Sequence, residues 1–215
     1  SINNDHIYHA FWEILTYKKD KMFDILMDRY LNKIDFEKAS ENYTFLVSAT
    51  STPGSWSGGP GKFRSNETFT PKTYMVERLL KQKYIDINQH TEEEHDTALH
   101  KISKSGHAEI ASLLLNHPNI NINQRNTYGY TALMYASEKG YDDIVEMLLK
   151  QNNIDTKAKT QGDNPKSALL LAEEQHHYTI VDMLLKHDFD TNEKAIIDAR
   201  QLLRASYEND LPKVI

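Results

Sequence analysis

The sequence predicts an all-α fold, a solenoid of stacked helix–turn–helix repeats edged by short hairpin fingers, and three observations carry it. A short motif recurs as Thr97-Ala98-Leu99, Thr131-Ala132-Leu133 and Ser167-Ala168-Leu169, at steps of 34 and 36 residues. A Leu pair recurs as Leu79-Leu80, Leu114-Leu115, Leu148-Leu149 and Leu184-Leu185, at steps of 35, 34 and 36. The apolar stretches between these marks are too short to be stable alone, since isolated helices below about 12–15 residues are marginal in water. A near-constant period in the thirties therefore describes hairpins that bury their apolar faces only by stacking on copies of themselves.

Residues 127–159 form the most regular unit. A turn signal at Gly129 leads to Thr131 and an apolar run through Leu133, Met134 and Ala136. Gly140 breaks the run, and Ile144, Val145, Leu148 and Leu149 follow at a spacing that puts them on one side of a second helix. The stretch TALHKISKSGHAEIASLLLNHPNININ, residues 97–123, resembles the ankyrin-repeat pattern of T-P-L-H, G-H, a Leu-rich helix and a terminal V-N. It departs from that pattern in Ala98 for Pro and Ile102 for Ala. The resemblance implies an ankyrin-type solenoid from a larger protein.

In chain order, residues 1–38 read as a degenerate N-terminal capping repeat. Its first helix should carry Ile7, Ala10, Phe11, Ile14 and Leu15; its second should carry Met22, Phe23, Ile25, Leu26 and Leu31. An outer face with no neighbour is free to diverge. Residues 39–90 hold an interrupted repeat. Thr44 to Leu79 spans 35 positions against 17 from Thr131 to Leu148, so 18 extra residues intervene. They fall within residues 51–71, which contain half of the chain's eight glycines and half of its six prolines. Such a composition makes a loop rather than a helix. Regular repeats follow at 91–126, 127–159 and 160–192, the last with two extra residues in its finger. Residues 193–215 start a further repeat that stops before any Leu pair, so the protein is expected to continue.

Charge and composition narrow the function. The 215 residues are 39% hydrophobic and 26% charged, with a net charge of −6 and no cysteine. A nucleic-acid binder needs a basic face to neutralise phosphates, so that class is disfavoured. No apolar run approaches the roughly 18 residues of a membrane span. The lack of cysteine excludes thiolate chemistry and fits a reducing compartment, so a cytoplasmic location is expected.

The polar clusters do not form a catalytic centre. His176-His177 with His187 invites a metal reading, but adjacent helical residues point in different directions and chelate poorly together. No cofactor or metal is expected, and no enzymatic activity. The repeat register instead aligns His177 with His107, and the resemblance gives His100 a structural hydrogen bond at a helix start. His176 stands where Gly106 and Gly140 stand and should take a positive φ. The run Glu92-Glu93-Glu94-His95-Asp96 lies at a solvated loop tip, where carboxylates lack the dry cleft that acid–base work needs. It reads as a solvated turn or as an acidic finger for a partner's Lys or Arg segment.

Protein recognition is the expected function, through a concave face of finger tips and the inner ends of first helices. By resemblance, the partner-binding positions are Glu93, Glu94, Asp96, Lys104 and Ser105 in one repeat. In the next they are Thr127, Tyr128, Tyr130, Glu138 and Lys139; the third adds Lys166, Glu174 and Gln175. Tyr128 and Tyr130 are the expected anchors, a large ring with a polar tip being suited to a recognition surface. Trp56, Phe63 and Phe69 of the insertion either pack back on the solenoid or meet a partner. The alternative function is that these repeats recruit substrate for, or regulate, a catalytic domain outside the chain.

Overall fold

The computed structural model describes residues 14, 25, 45–50, 73–82, 85–187, 195 and 198. Within them run eight helices: α1 (Phe45–Thr50), α2 (Thr73–Leu80), α3 (Ala98–Ser105), α4 (Ala108–Leu115), α5 (Ala132–Lys139), α6 (Asp142–Leu149), α7 (Ala168–Glu174) and α8 (Tyr178–His187). Each first helix packs on its own second helix, in the pairs α1–α2, α3–α4, α5–α6 and α7–α8. First helices also pack on one another in series from α1 to α7, and second helices do the same from α2 to α8. The result is a two-layer ankyrin-type solenoid. Among the described residues no strand forms; the fingers are turns, with one isolated antiparallel bridge between His90 and Thr97.

The helices start where the repeated Thr or Ser lies. Thr97, Thr131 and Ser167 are N-caps whose hydroxyls accept from the amides of His100, Met134 and Leu170. An N-cap of this kind satisfies one of the orphan amides of a helix start and is worth about 1 kcal/mol. Ala98, Ala132 and Ala168 follow and are buried, as are Leu99, Leu133 and Leu169. In the second layer Ile110, Ala111 and Leu114 are buried, as are Ile144, Val145 and Leu148, and then Ile180, Val181 and Leu184. Of each Leu pair in α6 and α8, the first residue is buried and the second packs partly exposed against the core.

Two glycines set the spacing between repeats. Gly106 and Gly140 close α3 and α5 in the left-handed region, at φ 78° and 77°. A Cβ on Gly106 would lie 2.4 Å from the Tyr141 ring, and one on Gly140 would lie 2.5 Å from the His177 ring. Each glycine thus seats the ring that begins the next repeat's second helix. His177 also meets the Glu138 carbonyl at 3.2 Å. His176, in the equivalent place after α7, has φ 65° as its register demands.

Asparagines join the repeats at their far ends. Asn88 donates to the Asn119 carbonyl and accepts from the Asn121 amide, at 2.8 and 2.7 Å. Asn123 does the same with Asn153 and Asp155, at 2.7 and 2.9 Å. In the N-terminal region Ile14 is helical and buried, in keeping with its expected core place. Ile25 is helical but 56% exposed, which corrects its expected place on an apolar face. Most of the capping repeat, the 51–71 insertion and nearly all of 193–215 lie outside the described residues.

Candidate functional site

The face built from fingers and first helices is assembled by backbone bonds. Three fingers are closed by amide-to-carbonyl bonds of 3.0 Å, from Thr91 to Asp96, Asn126 to Tyr130 and Thr160 to Lys166. Neighbouring fingers are bonded in turn, Thr127 to the Glu94 carbonyl at 2.9 Å and Gln161 to the Tyr128 carbonyl at 2.8 Å. The Arg125 guanidinium bridges two fingers by donating to the carbonyls of Gly129 and Lys159. Asp96, Tyr130 and Lys166 therefore occupy equivalent places, each just before the N-cap of a first helix. Lys101, Tyr135 and Leu171 are equivalent one turn into those helices, and Lys104, Glu138 and Glu174 one turn further.

At the N-terminal finger a buried charge network forms. Asp96 is fully buried and Lys101 is 7% exposed, and their charged atoms lie 3.0 Å apart. Glu94 meets the same ammonium at 3.0 Å. Asn126 donates to Asp96 at 2.7 Å and to the Tyr135 hydroxyl at 2.9 Å. Burial alone would raise the Asp96 carboxyl, but the Asn126 bond and the Lys101 charge outweigh it and hold the group below its ordinary value. Burial works against the Lys101 charge as well, and Asp96 and Glu94 overcome it, so this ammonium stays protonated more firmly than a free one.

The centre of the face is aromatic. The rings of Tyr130 and Tyr135 lie 4.7 Å apart with a 30° tilt. His100 meets Tyr135 edge-on at 6.0 Å, and the Lys104 ammonium lies over the Tyr135 ring, 5.3 Å from its centroid. The Tyr130 hydroxyl donates to Glu138 at 3.2 Å. Burial, with the neighbouring Glu138 and Glu174 charges, pushes the Tyr130 hydroxyl up to about 12, so it is a neutral donor near pH 7. One repeat on, Lys166 spans to Glu174 at 2.6 Å, repeating the reach of Tyr130 to Glu138.

The residues expected to contact a partner divide by exposure. Glu93, Lys104, Thr127, Tyr128, Lys139 and Gln175 are exposed, Tyr128 at 56%. Glu94, Ser105, Tyr130, Glu138, Lys166 and Glu174 are half-buried. Glu138 pairs with Lys139 at 3.4 Å, and the Ser105 hydroxyl reaches the Ile102 carbonyl at 3.4 Å. Asp96 is corrected: it is 0% exposed and committed to Lys101 and Asn126, so no partner can touch it. Trp56, Phe63 and Phe69 lie outside the described residues.

Three residues of this face, Lys101, Asn126 and Tyr135, were absent from the sequence expectations. The register held a signal for Lys101, a charge aligned with Tyr135 and Leu171 in a buried column. Tyr135 lies between Met134 and Ala136 of an apolar run, and only the stack shows its ring beside Tyr130. The histidines serve the frame. His100 Nδ1 accepts from the Thr97 amide at 3.1 Å and lies 2.8 Å from its hydroxyl, while Nε2 meets the Tyr130 carbonyl at 3.0 Å. His90 and His95 have ring centroids 4.5 Å apart, with His95 at φ 56°. Among the described residues no group of three His, Cys, Asp or Glu could hold a metal ion, and no helix is long and apolar enough to cross a membrane.

Residues 70–160 match the family model for ankyrin repeats, in three copies. The chain is similar to an ankyrin repeat and KH domain-containing protein of Caenorhabditis briggsae, 36% identical over 93 residues, 43% of this chain and 4% of that protein. It is similar to an ankyrin repeat-containing protein of Arabidopsis thaliana, 41% identical over 69 residues, 31% of this chain and 11% of that protein. A UPF0507 protein of Yarrowia lipolytica is 37% identical over 73 residues, 33% of this chain and 7% of that protein. The chain thus spans a small share of the length of these relatives.

Proposed function

We propose that the chain, whose residues 70–160 match the ankyrin-repeat family model, binds a partner protein through its finger and first-helix face. Repeats of this family are protein-interaction modules, and in a solenoid the edge that carries loop tips is the extended concave binding surface. The observation that carries the reading is the Tyr130–Tyr135 pair, with Lys104, Glu138, Lys166 and Glu174 around it. A half-buried aromatic pair inside a polar rim is the arrangement of an interface hot spot. Each of these charges is already matched within the chain or lies on a ring, so a partner exchanges weak surface pairs at small cost.

The partner is proposed to be a segment bearing Lys or Arg. Asp96 and Glu94 share one lysine, Lys101, which leaves the N-terminal finger net negative, and Glu92 and Glu93 add to it as exposed neighbours. Selection of binding peptides from a random displayed library tests the whole reading. The selected peptides should be basic, and Tyr130→Ala should weaken their binding at least tenfold while helical content stays unchanged. Peptides whose affinity ignores Tyr130→Ala, Glu138→Ala and Lys166→Ala together would show that this face is not the site.

A further inference from the structure

We propose that the face of Tyr135 now covered by Lys104 is a seat for an arginine side chain of the partner, and that Lys104 is its internal occupant. The inference rests on the reading that this face binds a partner, and it names the group that the face takes. Lys104 is exposed, yet its ammonium lies 5.3 Å from the centroid of a ring that is only 6% exposed. An exposed side chain that reaches a nearly buried ring lies on that ring's route to solvent. The seat is accordingly competent for a cation, because one already sits there by its attraction to the ring face.

The surroundings fit a guanidinium better than an ammonium. The Tyr135 ring is held by Asn126 on its hydroxyl and by His100, whose ring lies perpendicular to it at 6.0 Å. Tyr130 lies beside it at 4.7 Å with its hydroxyl bonded to Glu138. A flat guanidinium stacks on such a ring and still presents N–H groups in its own plane to a carboxylate. Glu138, which accepts from the Tyr130 hydroxyl and pairs with the exposed Lys139 at 3.4 Å, is the carboxylate next along this face. Among the described residues no carboxylate pairs with Lys104, so its departure breaks no ion pair there. The internal lysine therefore acts as a competitor that lowers the affinity of every incoming cation, so that only one that stacks well displaces it.

Titration of the chain with N-acetyl-arginine methylamide, followed by the NMR signals of the Tyr130 and Tyr135 rings, tests the seat. Three further arms set the controls: the citrulline analogue, which has the same shape without charge; Lys104→Ala; and Lys150→Ala. Lys150 lies on the second layer, paired with Glu146, so its removal makes the same charge change at a remote place. Lys104→Ala should bind the arginine amide at least threefold tighter than the unaltered chain, with both rings shifting and citrulline inert. Lys150→Ala should match the unaltered chain. Equal affinities for the two variants, or equal binding of citrulline, would overturn the seat. The displayed peptides separate this outcome from failure of the binding face. Loss of binding with Tyr130→Ala, but no difference between Lys104→Ala and Lys150→Ala, keeps the face and removes the seat.

Discussion

Lys101 occupies a column that its neighbours fill with Tyr135 and Leu171, and it remains charged there because Asp96 and Glu94 lie 3.0 Å from its ammonium. Truncating one partner of a buried pair like this typically costs about 3–5 kcal/mol, since the other charge is left without compensation. His100 has the opposite logic. Burial holds its imidazole below the ordinary value, against the smaller pull of Asp96 and the Tyr130 carbonyl. The folded state thus keeps the ring neutral, whereas the unfolded chain takes up a proton below about pH 6.5. Its contribution to stability is fully present above that pH and is lost progressively below it, as pH falls toward the depressed value of the folded state. Urea midpoints at pH 7.5 and 5.5 should drop more for the unaltered chain than for His100→Gln. His107, also depressed by burial, contributes equally to both and cancels. Identical drops would show that His100 does not contribute to the pH dependence of stability. The helix-start role of His100 was implied by the resemblance of Thr97-Ala98-Leu99-His100 to the ankyrin pattern. The Asp96 network was not, because Asn126 lies 30 residues away from Asp96 and reaches it only through the stack.

Elements meet through the glycine seats, where backbone conformation and packing make the same demand. Gly140 needs its positive φ, and its missing side chain makes room for the His177 ring. Gly140→Ala should therefore destabilise by more than about 1 kcal/mol, the ordinary cost of a Cβ in the left-handed region. In a His177→Ala background the collision disappears while the conformational cost stays. A double-mutant cycle by urea denaturation should then give a coupling between the two sites of about 0.5–3 kcal/mol. A coupling of zero would mean that the ring does not fill the seat. The sequence register located Gly106, Gly140 and His176 as equivalent, and φ 65° at His176 agrees with that. Which ring fills each glycine could not be read, because Tyr141 and His177 belong to the following repeat. Periodicity reports what recurs within a repeat and is silent on which atoms touch between repeats.

At the scale of the whole molecule, short helices become stable by forming two continuous layers, and the layers divide the work. Second helices supply apolar burial, as Leu148 at 0% exposure shows, while the finger edge carries the polar and aromatic residues. The period of the Leu pairs was enough to foresee this division. The chemistry of the edge was only partly legible: Tyr130 was foreseen as a ring on the face, but its union with Tyr135 and the cover by Lys104 depend on stacking geometry. Recognition is proposed to use the finger and first-helix edge. Amide hydrogen exchange of the chain, with and without a bound peptide from the displayed library, measures this most directly. Protection should rise at residues 91–97, 126–131 and 160–167 and at the starts of α3, α5 and α7, with α4, α6 and α8 unchanged. Protection confined to the second-helix layer, with the fingers exchanging as in the free chain, would contradict it.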